Sequence, residues 1–179
     1  METFTEFRPM VVDPRYQDRR KQCLNELNSD ELDPPIADLI DDMCEFPFCF
    51  TIQSCFGHFL YPGQNDPNSI ESLPATGNFH SVDYRIAYIA LCVEDSRSGR
   101  KFLRWLRQLP EIGHQYIQFG CAEWFWERNP NSYVLQVEPE RHLQKDECRV
   151  DFQEALRIEK VRNKFYDHLK TLVSNIDKA

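Results

Sequence analysis

Hydrophobic residues recur every three or four positions in four stretches of the chain, which is the spacing of one face of an α-helix. The clearest stripe is formed by Ile36, Leu39, Ile40 and Met43. On this basis we predict helices over residues 14–27, 34–44, 98–109 and 147–176. The second of these begins at Asp33-Pro34, where an acidic cap precedes a residue that suits the first helical turn.

In other stretches hydrophobic and polar residues alternate with a period of two, which predicts β-strands. Phe48, Phe50 and Ile52 set this pattern in the first strand. The predicted strands span residues 47–53, 84–93, 115–119, 122–127 and 132–138. Residues 84–93 are apolar on both faces, as expected for a central strand. Because helices and strands do not alternate strictly, we predict an α+β fold with a mixed or mostly antiparallel sheet, packed helices and a long C-terminal helix.

The length of 179 residues favours a single globular domain over residues 1–179. Residues 61–80 interrupt the pattern, because they contain three Pro and two Gly and show no hydrophobic period. Loops of this length are uncommon in compact domains and are either mobile lids or partly disordered segments. We therefore predict a long loop over this range.

Composition narrows the class of protein. Hydrophobic residues make up 41% of the chain and aromatic residues 13%, which excludes an intrinsically disordered chain. No uncharged apolar run approaches the roughly 18 residues that a membrane span requires. The N-terminus has neither the basic start nor the apolar stretch of a secretory signal. We therefore expect a cytoplasmic protein that does not enter the membrane.

The seven cysteines are odd in number, and no signal sequence accompanies them, which argues against a disulfide framework. We expect most of them to be reduced thiols that pack as small hydrophobes. No C-x-x-C pair is present, so the strongest zinc and redox signals are missing and we predict no metal site. A set of Cys44, Cys49, Cys55 and His58 is an alternative, although its spacing matches no familiar zinc motif.

Charge is distributed unevenly along a chain whose net charge is −8. Residues 26–45 hold eight acids and no base, whereas residues 97–107 hold five bases and no acid. On a helical wheel these bases cover an arc of about 120°, opposite an apolar face. The pattern predicts phosphate binding by Arg97, Arg100, Lys101 and Arg104. The alternatives are a solvated face and a face paired with the acidic helix.

Residues 53–58 bring a hydroxyl, a thiol, a glycine and an imidazole to the end of the first predicted strand. Ligand groups often meet at strand ends, and a glycine allows close approach to the backbone. The candidate ligand-binding residues are therefore Ser54, Cys55, Gly57 and His58. The alternatives are a plain turn in which Cys55 packs inside and a nucleophile formed by the thiol of Cys55 with the imidazole of His58.

Two tryptophans lie two positions apart in the predicted strand over residues 122–127, so both should point to one face of the sheet. Trp124 and Trp126 could then form a stacking platform for a base or an adenine ring. Glu127 would serve as a polar anchor if it were buried beside an arginine. The alternative is ordinary core packing of the aromatic residues.

The bend at residues 51–58 resembles a motif of the tRNA methyltransferases of wybutosine synthesis, the tRNA wybutosine-synthesising protein 3 family. That family carries Ser-Ser-Cys-Ser-Gly-Arg after a strand, and Ser54, Cys55 and Gly57 match it here, whereas His58 replaces the arginine. Residues 125–137 are also similar to the later Lys-Phe-Glu-Pro-x-x-Leu-x-Val segment of the family. The best matches in this second segment are Glu127, Leu135 and Val137.

The resemblance implies S-adenosylmethionine as methyl donor and a modified guanosine of tRNA as acceptor. It also implies that the residues of the bend line a pocket with Glu127, and that Trp124 or Trp126 stacks on a ring. It identifies no catalytic residue. The alternative is a non-catalytic binding or interaction domain on the same fold, with tRNA or a small molecule as its partner.

Overall fold

The computed structural model describes residues 4–64, 66, 70–76, 80–142 and 146–176. The strands are β1 (Phe4–Thr5), β2 (Cys49–Cys55), β3 (His58–Leu60), β4 (Ser81–Arg85), β5 (Ala87–Val93), β6 (Ile117–Ala122), β7 (Ser132–Val137) and β8 (Glu147–Asp151). The α-helices are α1 (Tyr16–Glu26), α2 (Ala37–Glu45), α3 (Arg97–Leu106), α4 (Glu123–Arg128) and α5 (Phe152–Asn175). Short 3-10 helices lie at Ser29–Glu31, Leu109–Ile112 and Glu140–His142.

The strands form two antiparallel sheets. The main sheet has the order β1-β6-β7-β5-β2, so β1 and β2 are its two edges. The smaller sheet has the order β3-β4-β8. One row of paired residues crosses four strands of the main sheet. Its members are Cys55 of β2, Tyr88 of β5, Gln136 of β7 and Gln118 of β6. These results confirm the predicted α+β class, the mostly antiparallel sheet and the long C-terminal helix.

The main core lies between the sheets and helices α2, α3 and α5. The predicted apolar face of α3 is part of this core, since Phe102, Leu103 and Leu106 are buried. The opposite face of the main sheet is covered at two places. Phe125 of α4 packs on Ala90 and Val134, and Tyr16 of α1 packs on Phe50 and Cys92.

The predicted strand over residues 122–127 is wrong, because the chain leaves β6 at Ala122 and forms helix α4. The helix lets Phe125 pack with Ala122, three positions earlier, while Trp124 turns to the surface. A strand would have carried both tryptophans on one face. Trp124 and Trp126 therefore do not form the expected side-by-side pair.

Two other boundaries were wrong. The predicted helix over 147–176 begins instead with strand β8, in which Cys148 and Val150 are buried. Asp151 then caps α5, because its side chain accepts a hydrogen bond from the Glu154 amide (2.8 Å). The predicted strand over 84–93 is divided between β4 and β5. At this break the hydroxyl of Tyr84 accepts from the Ala87 amide (2.9 Å).

The described residues within 61–80 contain neither helix nor strand, and residues 65, 67–69 and 77–79 of the predicted loop lie outside the described part of the chain. Leu73 is buried, and its amide donates to Oε1 of Glu159 on α5 (2.9 Å). No helix among the described residues combines the length and hydrophobicity needed to cross a lipid bilayer.

Candidate functional site

The bend between β2 and β3 is built around Gly57. Its φ of +93° lies in the left-handed region, and a Cβ at this position would lie 2.8 Å from the Cβ of Ala87. Ala87 of β5 thus occupies the position next to Gly57. The glycine allows close packing of β5 and not, as expected, the close approach of a ligand. Ser54 and Cys55 remain in strand β2, and His58 begins β3.

Helix α5 holds this bend through two buried side chains. Nη1 of Arg162 donates to the Gly57 carbonyl (2.9 Å), and the Tyr166 hydroxyl donates to the Cys55 carbonyl (2.8 Å). The Arg162 guanidinium also lies 4.1 Å from the centre of the Phe56 ring. Each side chain of α5 thus satisfies a carbonyl of the bend, so α5 fixes the direction in which the bend presents its side chains.

Three side chains converge at the bend, and we call them the bend cluster: Asp33, Cys55 and His58. Their ligand atoms all lie within 4.8 Å of one another. Oδ2 of Asp33 accepts from the Phe56 amide (2.6 Å) and lies 3.6 Å from Nε2 of His58. Nδ1 of His58 is buried and has no hydrogen-bond partner within the described part of the chain.

The bend cluster does not have the properties of a thiolate nucleophile. Burial first, and then the charge and hydrogen bond of Asp33, raise the pKa of the Cys55 thiol to about 11. A thiol with such a pKa is protonated at neutral pH, whereas nucleophilic cysteines have a lowered pKa. The alternative of a Cys55–His58 nucleophile is therefore disfavoured.

The alternative metal set of four residues is not brought together. Sγ of Cys44 lies 3.4 Å from Oγ1 of Thr51, and Cys49 is fully buried in the core, away from the bend cluster. All seven cysteines are free thiols, and five of them are buried, as expected for small hydrophobes. The bend cluster uses Asp33 instead, a residue for which the sequence suggested only a helix cap.

The tryptophans lie far from the bend, because α4 follows β6, three strands away from β2. Trp126 packs against Tyr133 (ring centres 5.8 Å apart) and lies under the guanidinium of Arg8 (5.5 Å). Trp124 is 45% exposed, and Glu127 is exposed and not a buried anchor. The two predicted halves of the ligand site are therefore in separate regions of the molecule.

A second region, which we call the basic groove, lies between the N-terminal segment and α3. It is a cavity of about 320 Å³. Its lining residues are Phe7, Pro9, Met10, Arg100, Leu103, Arg104 and Arg107. The N-terminal side of this groove was not predicted from the sequence, because long-range contacts such as the packing of Phe7 on Phe119 and Tyr133 bring the segment to α3.

The predicted phosphate-binding residues fall into three groups. Arg100 and Arg104 line the groove, Arg97 is exposed at the start of α3 and does not line it, and Lys101 lies over the Trp105 ring at 4.9 Å. Arg100 forms two hydrogen bonds with Asp95 (2.5 and 3.0 Å), so its partner is not the acidic helix α2.

Two arginines of the groove keep their charge available. Arg104 is exposed and makes no ion pair with the described residues, whereas Arg107 is exposed with its guanidinium 4.2 Å from the centre of the Phe7 ring. A cation above an aromatic ring is held in place by the ring and keeps its full positive charge. The groove therefore offers cationic and aromatic groups to one ligand.

Two solved structures share this fold. The structure of PH1069 protein from Pyrococcus horikoshii covers 92% of this chain and 95% of its own, with a TM-score of 0.51 and 14% identity. A second structure of PH1069 protein, from Pyrococcus horikoshii OT3, covers 94% and 97%, with a TM-score of 0.52 and 15% identity. At this identity the similarity shows the fold alone. No protein-family model and no curated protein matches the sequence.

Proposed function

We propose that this protein binds RNA through the basic groove and is a remote relative of the wybutosine methyltransferases. The observation that supports RNA binding is the arrangement of Arg100, Arg104 and Arg107 on one wall of a cavity whose opposite wall holds Phe7 and Met10. Arginine recognises phosphate through planar, multiple hydrogen bonds, and single-stranded RNA is recognised by arginine together with aromatic rings.

The size and charge of the groove suit this ligand. A volume of about 320 Å³ is at the lower end of ordinary ligand pockets, so it would hold one nucleotide unit of a longer strand. The net charge of −8 repels RNA at long range. Binding should therefore be of moderate strength and should depend on the local arginines.

The decisive experiment is a fluorescence anisotropy titration with a short fluorescein-labelled single-stranded RNA, with unfractionated tRNA as a competitor. Reversing the charges in Arg104→Glu/Arg107→Glu should weaken binding at least about 10-fold, because two phosphate contacts are lost. The matched control is Arg157→Glu/Lys160→Glu, which reverses two exposed charges on α5. Binding by the control should stay close to that of the parent protein. Equal losses in both variants, or no loss in the first, would contradict the proposal.

Methyl transfer from S-adenosylmethionine is a further proposal, and it rests on the sequence motif at the bend. The specific observation in its favour is that β2 ends at Ser54-Cys55 and is followed by Gly57 at positive φ, the order of groups that the motif contains. Isothermal titration calorimetry of the full chain with S-adenosylmethionine tests it. Heat of binding would support a methyltransferase, whereas RNA binding without any S-adenosylmethionine binding would favour a non-catalytic RNA-binding domain.

A further inference from the structure

We propose that the bend cluster of Asp33, Cys55 and His58 is a zinc site. The inference does not depend on RNA binding, since the cluster lies at the bend between β2 and β3 and the groove lies between the N-terminal segment and α3. Each member supplies a different kind of ligand atom, and the three atoms lie within 4.8 Å of one another. Zinc accepts thiolate, imidazole and carboxylate ligands in one tetrahedral site.

The distances fit a small tetrahedral ion. Ligand atoms at about 2.0–2.2 Å from a tetrahedral zinc ion are about 3.4 Å apart. Oδ2 of Asp33 and Nε2 of His58 are 3.6 Å apart, so this pair needs almost no movement. Sγ of Cys55 lies within 4.8 Å of both other ligand atoms, so it must approach them by about 1.4 Å at most. Three protein ligands leave a fourth position open to water or to a bound molecule.

The surroundings hold these ligands in place. The Phe56 amide donates to the Asp33 carboxylate, and the Gly57 amide lies 3.4 Å from Sγ of Cys55, as in the hydrogen bonds that orient metal ligands elsewhere. His58 Nδ1 is a buried nitrogen with no hydrogen-bond partner in the described ranges, so no hydrogen bond at this atom competes with metal binding by the imidazole.

The charges also balance at the cluster. Zinc binding displaces the proton of the Cys55 thiol to solvent, and the resulting thiolate and the Asp33 carboxylate carry two negative charges, which neutralise the charge of one zinc ion. The buried Arg162 is 3.8 Å from Glu159, so this neighbouring cation is itself partly compensated. Calcium and magnesium prefer sites made of oxygen ligands and should bind poorly here.

The test is a titration of the chelator-treated 179-residue chain with Co²⁺, followed by displacement with Zn²⁺. A thiolate–cobalt charge-transfer band in the near ultraviolet is expected in the parent protein. The band should be absent in Cys55→Ser. In Asp33→Asn the band should remain, but the Co²⁺ affinity measured by the titration should fall at least about 10-fold. Cys23→Ser is the matched control, because Cys23 is another half-buried thiol outside the cluster, and it should keep the band.

A second measurement on the parent protein needs no variant. Zn²⁺ should slow alkylation of Cys55 by N-ethylmaleimide, measured by peptide mass spectrometry, and should leave Cys23 unaffected. The absence of a charge-transfer band in folded parent protein would overturn the proposal. The same is true if Cys55→Ser keeps the band, or if Zn²⁺ protects both thiols equally.

Discussion

The bend cluster and the basic groove are built on different elements of the molecule. The bend ends β2, an edge of the main sheet, whereas the groove lies between α3 and the N-terminal segment. Phe7 of the groove packs on Phe119 of β6 and Tyr133 of β7, which lie three and two strands from β2. At about 4.8 Å per strand, roughly 10–14 Å of sheet separates this wall of the groove from β2. The lining of the groove includes no residue of the bend cluster.

The two regions also differ in how they are built. The bend takes residues from distant parts of the chain, such as Asp33, Cys55 and Arg162, and Arg162 is only 2% exposed. The groove takes its charges from one short surface helix. Changes at the bend should therefore affect folding and zinc binding together, whereas changes in the groove should affect RNA binding alone.

The largest effect is expected for Arg162→Met, which removes a buried cation and leaves the Gly57 carbonyl without its donor. We expect a loss of about 3 kcal/mol in the free energy of unfolding. Arg157→Met, on the exposed side of the same helix, should change the free energy of unfolding by about 0.5 kcal/mol or less. Urea denaturation of both variants provides the measurement. Equal stabilities would contradict the account of how α5 holds the bend.

Gly57→Ala should be the next most damaging change. Alanine would be strained at φ +93°, and its Cβ would lie 2.8 Å from that of Ala87, so we expect a loss of about 2–4 kcal/mol. Gly63 also has a positive φ (+88°), but nothing lies within 4 Å of its added Cβ, so Gly63→Ala should cost only about 1 kcal/mol. Thermal unfolding compares the two variants. A larger loss at Gly63 would show that packing on Ala87 is unimportant.

Tyr166→Phe removes one hydroxyl and keeps the ring on Phe56. The Cys55 carbonyl then loses its donor, which should lower the free energy of unfolding by about 1 kcal/mol. Tyr116→Phe is the control, because the Tyr116 hydroxyl makes no hydrogen bond to the described residues. The two variants should differ in urea denaturation, and indistinguishable curves would argue against this hydrogen bond.

The smallest effect concerns the groove. The Arg100 guanidinium holds the pKa of the Asp95 carboxyl below its usual range through their hydrogen bonds. Asp95→Asn should free Arg100 and strengthen RNA binding about twofold, with little change in stability. Anisotropy titrations at two salt concentrations measure this effect. Weaker RNA binding by the variant would mean that Asp95 positions Arg100 for the ligand.

Local pattern predicted much of the fold. The stripe of Ile36, Leu39, Ile40 and Met43 is buried as expected, and the basic strip of α3 faces solvent opposite its apolar face. The prediction of secondary structure was wrong where the pattern of a short segment is compatible with both a strand and a helix. The Trp-rich segment alternates like a strand, but packing of Phe125 on Ala90 decides in favour of a helix.

The sites were harder to predict because they depend on contacts between distant residues. Asp33 is 22 residues before Cys55 in the sequence, and only folding brings its carboxylate to the Phe56 amide. Likewise, Phe7 reaches α3 through its packing on Tyr133. A hydrophobic pattern predicts which face of a single helix or strand is buried. It does not predict which elements pack against that face.

The separation of the two regions can be tested by one measurement, the RNA affinity of Cys55→Ser relative to the parent protein under identical salt. Cys55→Ser should bind the labelled RNA within about twofold of the parent, because Cys55 lies at the end of β2 and does not line the groove. A loss of about 10-fold or more in a folded Cys55→Ser protein would contradict this account, since it would mean that the bend and the groove contact the same ligand.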